Sequence, residues 1–232
     1  MTNLIFLMQD TLATTAETPV DAAATGTESF SYFSMLLKGG VMVIPILLLL
    51  FFTLYVIVER ILYIKKVTKE DTNLINDIQL QLSTGKVENA QLVATRSNTA
   101  YGNILESGIS HIGRPLSEIE GSIEKATNVE IALMEKKLGY LGLVAGIAPI
   151  LGFIGTISGV IRIFYEISQS ADVSIKSISG GLYEKMISSG LGLIAGVIAY
   201  AGYHLLNMMI DDFGLKVQKQ VIRFVNIITT GK

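Results

Sequence analysis

Four polar side chains in or beside long apolar stretches are the residues of this sequence best suited to chemistry. They are Thr156, Glu184, Ser188 and Ser189. A carboxylate in a low-dielectric environment is costly unless it is paired, protonated or hydrated, so Glu184 is a functional candidate of the kind that marks ion pathways. The alternative is a structural carboxylate at a membrane interface, paired with Lys185 or Arg162.

Helical spacing determines which of these groups can face the same way. Residues four apart share a face of a helix, so Glu184 can act with Ser188, and Lys185 can act with Ser189. Adjacent residues point about 100° apart, so Glu184 and Lys185 do not share one face. If Glu184 faces a lumen, we expect Lys185 to face a neighbouring subunit or to reach outward to the lipid headgroups.

No catalytic motif accompanies these residues. The sequence lacks the Walker pattern, H-E-x-x-H and G-x-S-x-G, which carry phosphate binding, zinc hydrolysis and serine nucleophiles. It has no cysteine, which removes thiol nucleophiles and cysteine-based zinc sites. His111 and His204 are far apart, and we interpret both as surface or interfacial polar residues. The sequence thus predicts no enzyme, metal site or cofactor, and any work it does is expected to draw on an ion gradient.

Composition identifies the elements that must position the four polar residues. Of the 232 residues, 50% are hydrophobic and only 16% are charged, whereas a soluble domain carries about a quarter charged residues. The apolar residues are concentrated in three runs, at 39–58, 138–161 and 186–210. Each run approaches or exceeds the ~20 helical residues that cross a bilayer, and a backbone in lipid must satisfy its own hydrogen bonds. The prediction is an all-α polytopic membrane protein with three transmembrane helices that extend into a helical cytoplasmic region.

The segment boundaries follow from these runs and from the polar stretches between them. The transmembrane helices are predicted at 39–62, 138–163 and 179–210. Residues 63–137 form the cytoplasmic helical region and 211–232 a cytoplasmic C-terminal helix. Residues 1–38, with a short amphipathic helix, and the connection 164–178 are assigned to the periplasm. This orientation follows the positive-inside rule, because residues 1–37 contain no Lys or Arg, whereas Lys and Arg residues flank the apolar runs on the sides assigned to the cytoplasm.

A helix start is predicted at Ser117, after the break at 113–115. Ser117 and Glu120 have the spacing of a capping box, and an apolar stripe at helical spacing follows. Its members are Ile119, Ile123, Ala126, Val129 and Leu133, which we interpret as core packing. No strong helix breaker separates this helix from the second apolar run, so one uninterrupted helix is predicted to continue into the bilayer.

Small residues recur four apart in the last two apolar runs. The pairs are Gly142 with Gly146, Gly155 with Gly159, and Gly192 with Gly196. Such pairs let helix backbones approach closely in lipid. They could serve packing within one copy, but three helices are few for so much close-packing surface, and we therefore favour a homo-oligomer.

Two ordered segments carry a resemblance to a known family. Residues 151–161 read LGFIGTISGVI, similar to the pattern L-G-x-x-G-T-V-x-G-x-x of the second span in the MotA/TolQ/ExbB proton-channel family. Residues 178–184 and 188–196 resemble its third-span pattern, with ISGGLYE followed by SSGLGLIAG. The chain looks most like the ExbB proteins of the TonB system within that family. Serine stands at 189 where the family has threonine, and Lys185 stands where alanine is usual.

The resemblance implies a function as well as a fold. It implies a pentamer of this chain in a bacterial inner membrane, surrounding an ExbD-like single-span protein and driving a TonB-like protein for outer-membrane transport by proton flow. Thr156, Glu184, Ser188 and Ser189 are then the predicted proton pathway, with Thr156 lining the channel and Glu184 near its periplasmic mouth. No nucleic-acid partner is expected. A TolQ-like or motility stator subunit, and from a different class a passive membrane scaffold, remain alternatives.

Overall fold

The computed structural model describes residues 40–69, 73–169 and 175–230, in the last range without the side chains of residues 176, 177, 184 and 230. The described residues form α-helices and no strand, which confirms the all-α prediction for this part of the chain. In chain order the helices are α1 Val43–Val67, α2 Leu74–Ser83, α3 Val87–Arg96, α4 Ala100–Ile109, α5 Leu116–Glu135, α6 Leu138–Gln169 and α7 Ile175–Thr230. The segment predicted at 1–38, with its amphipathic helix, lies outside the described residues.

Among the described residues, three stretches are long and apolar enough to cross a membrane, as the sequence predicts. They are Val43–Val67, Leu116–Gln169 and Ile178–Thr229. Large apolar side chains cover their outer faces, among them Phe51, Phe153 and Val197. A soluble monomer rarely exposes apolar surface on this scale, so lipid or partner helices must cover it. The 25 residues of α1 alone span about 37 Å.

Two apolar clusters hold the helices together. In the membrane part, small side chains dominate, and Ala148 of α6 packs with Ala195 and Ala199 of α7 beside Ile46 of α1. Beyond the membrane, α2 to α5 and the distal part of α7 form a bundle around larger side chains such as Ile104. The helix α7 belongs to both clusters and continues for 56 residues without a break.

The helix α5 begins at Leu116, before the predicted cap residue Ser117. Pro115 is the N-cap and no side chain caps the helix. Its apolar stripe also differs from the prediction, because Val129 is 58% exposed and Leu133 is 42% exposed. In their place Glu130 is buried, and it accepts a 2.7 Å hydrogen bond from Asn103 of α4. The buried residues of α5 are thus Ile119, Ile123, Glu130 and Met134, so the second half of the buried face lies one residue beyond the predicted stripe.

The predicted continuous helix from α5 into α6 is wrong at two residues. Lys136 has an extended ψ of 130° and Lys137 a positive φ of 75°, so the helix ends and restarts. Arg60 of α1 supports this break, because its buried guanidinium donates a 3.2 Å hydrogen bond to the carbonyl oxygen of Leu133 in the last turn of α5. Carbonyls at a helix end have no partner within the helix, and a cationic donor satisfies them well.

Glu59 completes the α5–α6 joint. Both of its carboxylate oxygens accept 2.9 Å hydrogen bonds from Arg60, and Oε1 lies 3.2 Å from the ammonium of Lys137. The Arg60 guanidinium also lies 4.9 Å from the centre of the Tyr63 ring. The charge of a buried guanidinium is costly unless paired, and here the carboxylate and the helix-end carbonyl compensate it.

Candidate functional site between two membrane helices

Thr156 connects the two helices that carry the predicted site. Its side chain is half-buried on α6, and its Oγ1 lies 3.3 Å from the carbonyl oxygen of Gly152 and 3.2 Å from that of Lys185 on α7. A hydroxyl has one proton to donate and two lone pairs that accept. The proton is therefore shared between a carbonyl of its own helix and one of α7, and the lone pairs stay open to a further donor.

The carbonyl oxygen of Lys185 accepts hydrogen bonds from hydroxyl groups of both helices. Besides Thr156, it accepts a 2.8 Å hydrogen bond from Oγ of Ser188, one turn further along α7. Ser188 is fully enclosed within the protomer. This differs from the pore-lining position expected from the sequence, because a side chain buried between α6 and α7 of one copy cannot line a lumen built by several copies.

Ser189 and Glu184 complete the predicted set. Ser189 is half-buried, and its backbone forms one wall of the contact with Gly152 of α6. The backbone of Glu184 belongs to α7, directly before Lys185, whereas its side chain lies outside the described residues. The structure thus brings Thr156, Ser188 and Ser189 to one stretch of the α6–α7 contact.

Glycines make this close contact possible. A Cβ built on Gly192 would lie 2.6 Å from the carbonyl oxygen of Ala148, and one on Gly152 would lie 3.0 Å from the backbone of Ser189. Gly155 also faces Ser188 of α7, and Gly196 faces Pro149 of α6, at close range. A small residue at these positions lets the two backbones touch.

The first of the three predicted glycine pairs behaves differently. Nothing within 4 Å would meet a Cβ built on Gly142 or Gly146, and both residues are exposed. In the protomer, close packing thus uses Gly155, Gly159, Gly192 and Gly196, while Gly142 and Gly146 face away from α7 and α1.

Two residues, one beside the site and one at the α5–α6 joint, were not anticipated from the sequence. Pro149 lies inside α6 and presents its ring to Gly196, and a proline at this point leaves the carbonyl four residues earlier without its helical hydrogen bond. The sequence does show this proline inside an apolar run, so its effect on the helix could have been predicted. The buried Arg60 had no such signal, because its acceptor Leu133 lies 73 positions away.

The two histidines lie apart from the α6–α7 contact. His204 is exposed on α7, with its ring 4.3 Å from that of Tyr200, and His111 lies in the turn after α4, bonded to Ser107. Within the described ranges, no three His, Cys, Asp or Glu residues lie close enough together to hold a metal ion.

Comparison with known proteins decides the family. The model of the MotA/TolQ/ExbB proton channel family matches residues 96–219, a range that includes all four predicted site residues. This chain belongs to the MotA/TolQ/ExbB proton channel family. As a member of that family with three apolar stretches of spanning length, it is a multi-pass inner-membrane protein.

Individual relatives of the family agree with this assignment. The chain is 30% identical over 183 residues to a biopolymer transport protein ExbB homolog of Methanothermobacter thermautotrophicus, covering 77% of this chain and 63% of that protein. It is 25% identical over 142 residues to the biopolymer transport protein ExbB of Salmonella typhimurium, covering 60% of this chain and 49% of the relative. It is 28% identical over 93 residues to the Tol-Pal system protein TolQ of Haemophilus influenzae, covering 38% and 41%. The chain thus spans less than two thirds of the length of each of these three relatives.

Proposed function

We propose that this chain is an ExbB-like subunit of a motor driven by the proton-motive force. Several copies, five in the favoured arrangement, surround the single membrane helix of an ExbD-like protein, and proton flow through the assembly energises a TonB-like protein. The N-terminus lies in the periplasm, and the α2–α5 bundle and the end of α7 lie in the cytoplasm. The basic residues beside the apolar stretches support this orientation.

The observation that carries the proposal is the hydroxyl of Thr156 between α6 and α7. It lies on the segment that resembles the family's second-span pattern, and it bonds the third-span segment at Lys185. A side-chain hydroxyl that both donates and accepts can pass or solvate a proton within an otherwise apolar span. Glu184 and Ser189 are the further members of the proposed pathway, and Ser188 is proposed to hold the two helices together.

The test is proton flux through the purified complex of this chain with its ExbD-like partner, reconstituted in liposomes with an interior pH-sensitive dye. Thr156→Val keeps the shape of the side chain but removes the hydroxyl, and we expect flux to fall by about ten-fold or more. Thr53→Val is the matched control, because Thr53 is a buried membrane threonine bonded to its own helix at Leu49. Wild-type flux in Thr156→Val would remove this residue from the pathway, and no flux in the wild type would favour a passive scaffold.

A second client is supported by one relative. Because the chain matches TolQ of Haemophilus influenzae, a Tol-type subunit is the alternative to an ExbB-like one. Both would use proton flow in the same way. Deleting the chain's gene distinguishes the two, because loss of gradient-dependent uptake across the outer membrane supports the ExbB-like role. A defect confined to envelope constriction supports the Tol-type role.

A further inference from the structure

Lys185 occupies an unexpected place for a charged residue. It is half-buried on α7 at the level of the Thr156 contact, and its aliphatic stem lies across Gly159 of α6. A Cβ built on Gly159 would overlap Cγ and Cδ of the lysine and would lie 2.7 Å from its Cε. The four methylenes of a lysine can cover apolar surface while the ammonium reaches a polar region.

The side-chain stem and the backbone carbonyl of Lys185 both contact α6, the stem at Gly159 and the carbonyl at Thr156. The stem fills the notch that glycine leaves at 159, while the carbonyl oxygen accepts the hydrogen bonds of Thr156 and Ser188. Thr156 and Gly159 are three apart on α6 and so lie on neighbouring parts of one face. Added bulk at 159 would meet the Lys185 stem directly beside the carbonyl that accepts from Thr156.

We infer that Gly159 and Lys185 form a size-matched pair that sets the separation of α6 and α7 beside Thr156, and that Lys185 is thereby a positioning residue for the proton path. The inference rests on the proposed function, which it deepens. Large bulk on α7 requires the absence of a side chain on α6, because interiors are too closely packed to accept an added methyl without displacement. Neither residue touches the moving proton in this scheme.

The experiment compares four variants of the full chain, each purified with its partner. The variants are Gly159→Ala, Lys185→Ala, the double variant Gly159→Ala/Lys185→Ala, and Lys185→Met. Each is measured for the midpoint of thermal unfolding in detergent and for proton flux in liposomes. Gly180→Ala is the matched control, because nothing lies within 4 Å of a Cβ built on Gly180.

If Gly159 and Lys185 are a steric pair, the variants should differ from one another in a defined way in both measurements. We expect Gly159→Ala to lower the midpoint by about 2–6 °C and the flux by about ten-fold. The double variant is expected to recover most of the unfolding midpoint and most of the flux, because removing the lysine stem makes room for the alanine methyl. Lys185→Met is expected to keep both near wild type, since it preserves an unbranched stem without the ammonium. If Gly159→Ala fails to assemble, assembly of the double variant supports the inference equally.

Three results would overturn the inference. They are wild-type values in Gly159→Ala, a double variant no better than Gly159→Ala, and loss of flux in Lys185→Met with an unchanged midpoint, which would assign the role to the ammonium. The midpoints separate this inference from the proposed function. If the wild-type complex conducts no protons, the proposed function fails, while rescue of the midpoint by the double variant still supports the steric pair.

Discussion

Ser188 and Ser189 show how two adjacent hydroxyls acquire different roles. Ser188 is enclosed between α6 and α7 and donates to the Lys185 carbonyl, whereas Ser189 keeps part of its side chain accessible. Neighbours on a helix point about 100° apart, so only one of them can face α6 directly. Two adjacent serines of one sequence pattern thus have different proposed roles. Ser188 holds α6 and α7 together, and Ser189 belongs to the proton path.

The pair makes a prediction at the residue scale. Ser188→Ala is expected to reduce the free energy of unfolding by about 1 kcal/mol, because one buried hydrogen bond is lost, and to leave proton flux per complex unchanged. Ser189→Ala is expected to leave stability unchanged and to lower flux by about ten-fold. Thermal unfolding and liposome flux on the same preparations check both. The reverse assignment, flux lost in Ser188→Ala alone, would contradict the burial argument.

The sequence could predict which residues belong to the site but not which way they face. The apolar stretches and the two ordered segments place Thr156, Ser188 and Ser189 on neighbouring helices, because hydropathy and spacing are local properties. The burial of Ser188 depends on how closely α6 approaches, which is set by Gly152 and Gly155 at positions far along the chain. Periodicity gives the relative directions of side chains on one helix, and only tertiary packing gives the partner of each face.

At the scale of elements, the joint between α5 and α6 is the feature that departs most from the sequence prediction. Its two non-helical residues are lysines, with Gly139 only in the first turn of α6, and Lys137 adopts a positive φ that a residue with a Cβ rarely takes. Arg60 and Glu59 of α1 hold both sides of the joint, at Leu133 and at Lys137. Local propensity favours a continuous helix here, and a long-range polar contact overrides it.

The joint gives a stability prediction. Arg60→Met retains an apolar stem, but it removes the hydrogen bond to Leu133 and leaves Glu59 without its bidentate partner. We therefore expect the free energy of unfolding to fall by about 1–3 kcal/mol. Arg162→Met is the matched control, because Arg162 makes an i,i+4 pair with Glu166 in which the two side chains are 78% and 54% exposed. Such exposed pairs contribute little, so we expect a change below about 0.5 kcal/mol. Equal effects of the two substitutions on thermal unfolding would contradict the role of the joint.

At the scale of the whole molecule, the protomer leaves much apolar surface uncovered. The faces of α6 and α7 that point away from each other carry large side chains such as Ile150 and Val197, and none of the described residues comes within 4 Å of a Cβ built on Gly142 or Gly146. In lipid, small residues at an exposed helix face favour contact with another helix. This supports the proposed homo-oligomer.

The oligomer can be tested at those two glycines. We expect native mass spectrometry in mild detergent to give five copies for the wild type. We also expect Gly142→Leu and Gly146→Leu to weaken assembly by about ten-fold or more, because bulk there keeps helices of different copies apart. Gly121→Leu is the control, since none of the described residues lies within 4 Å of a Cβ built on Gly121 and α5 belongs to the bundle beyond the membrane. Unchanged assembly in all three variants would place the contact between copies elsewhere.

The uninterrupted length of α7 has a mechanical consequence. Fifty-six residues of continuous helix form a rod of about 84 Å, of which only about 30 Å fits in the hydrocarbon layer. Because no joint interrupts it between Ser189 and its far end, a tilt of about 3° in the bilayer would swing that end by about 4 Å over a full rod length. A slight change at the buried contact would thus reach the opposite tip of the rod as a stroke the size of a side chain.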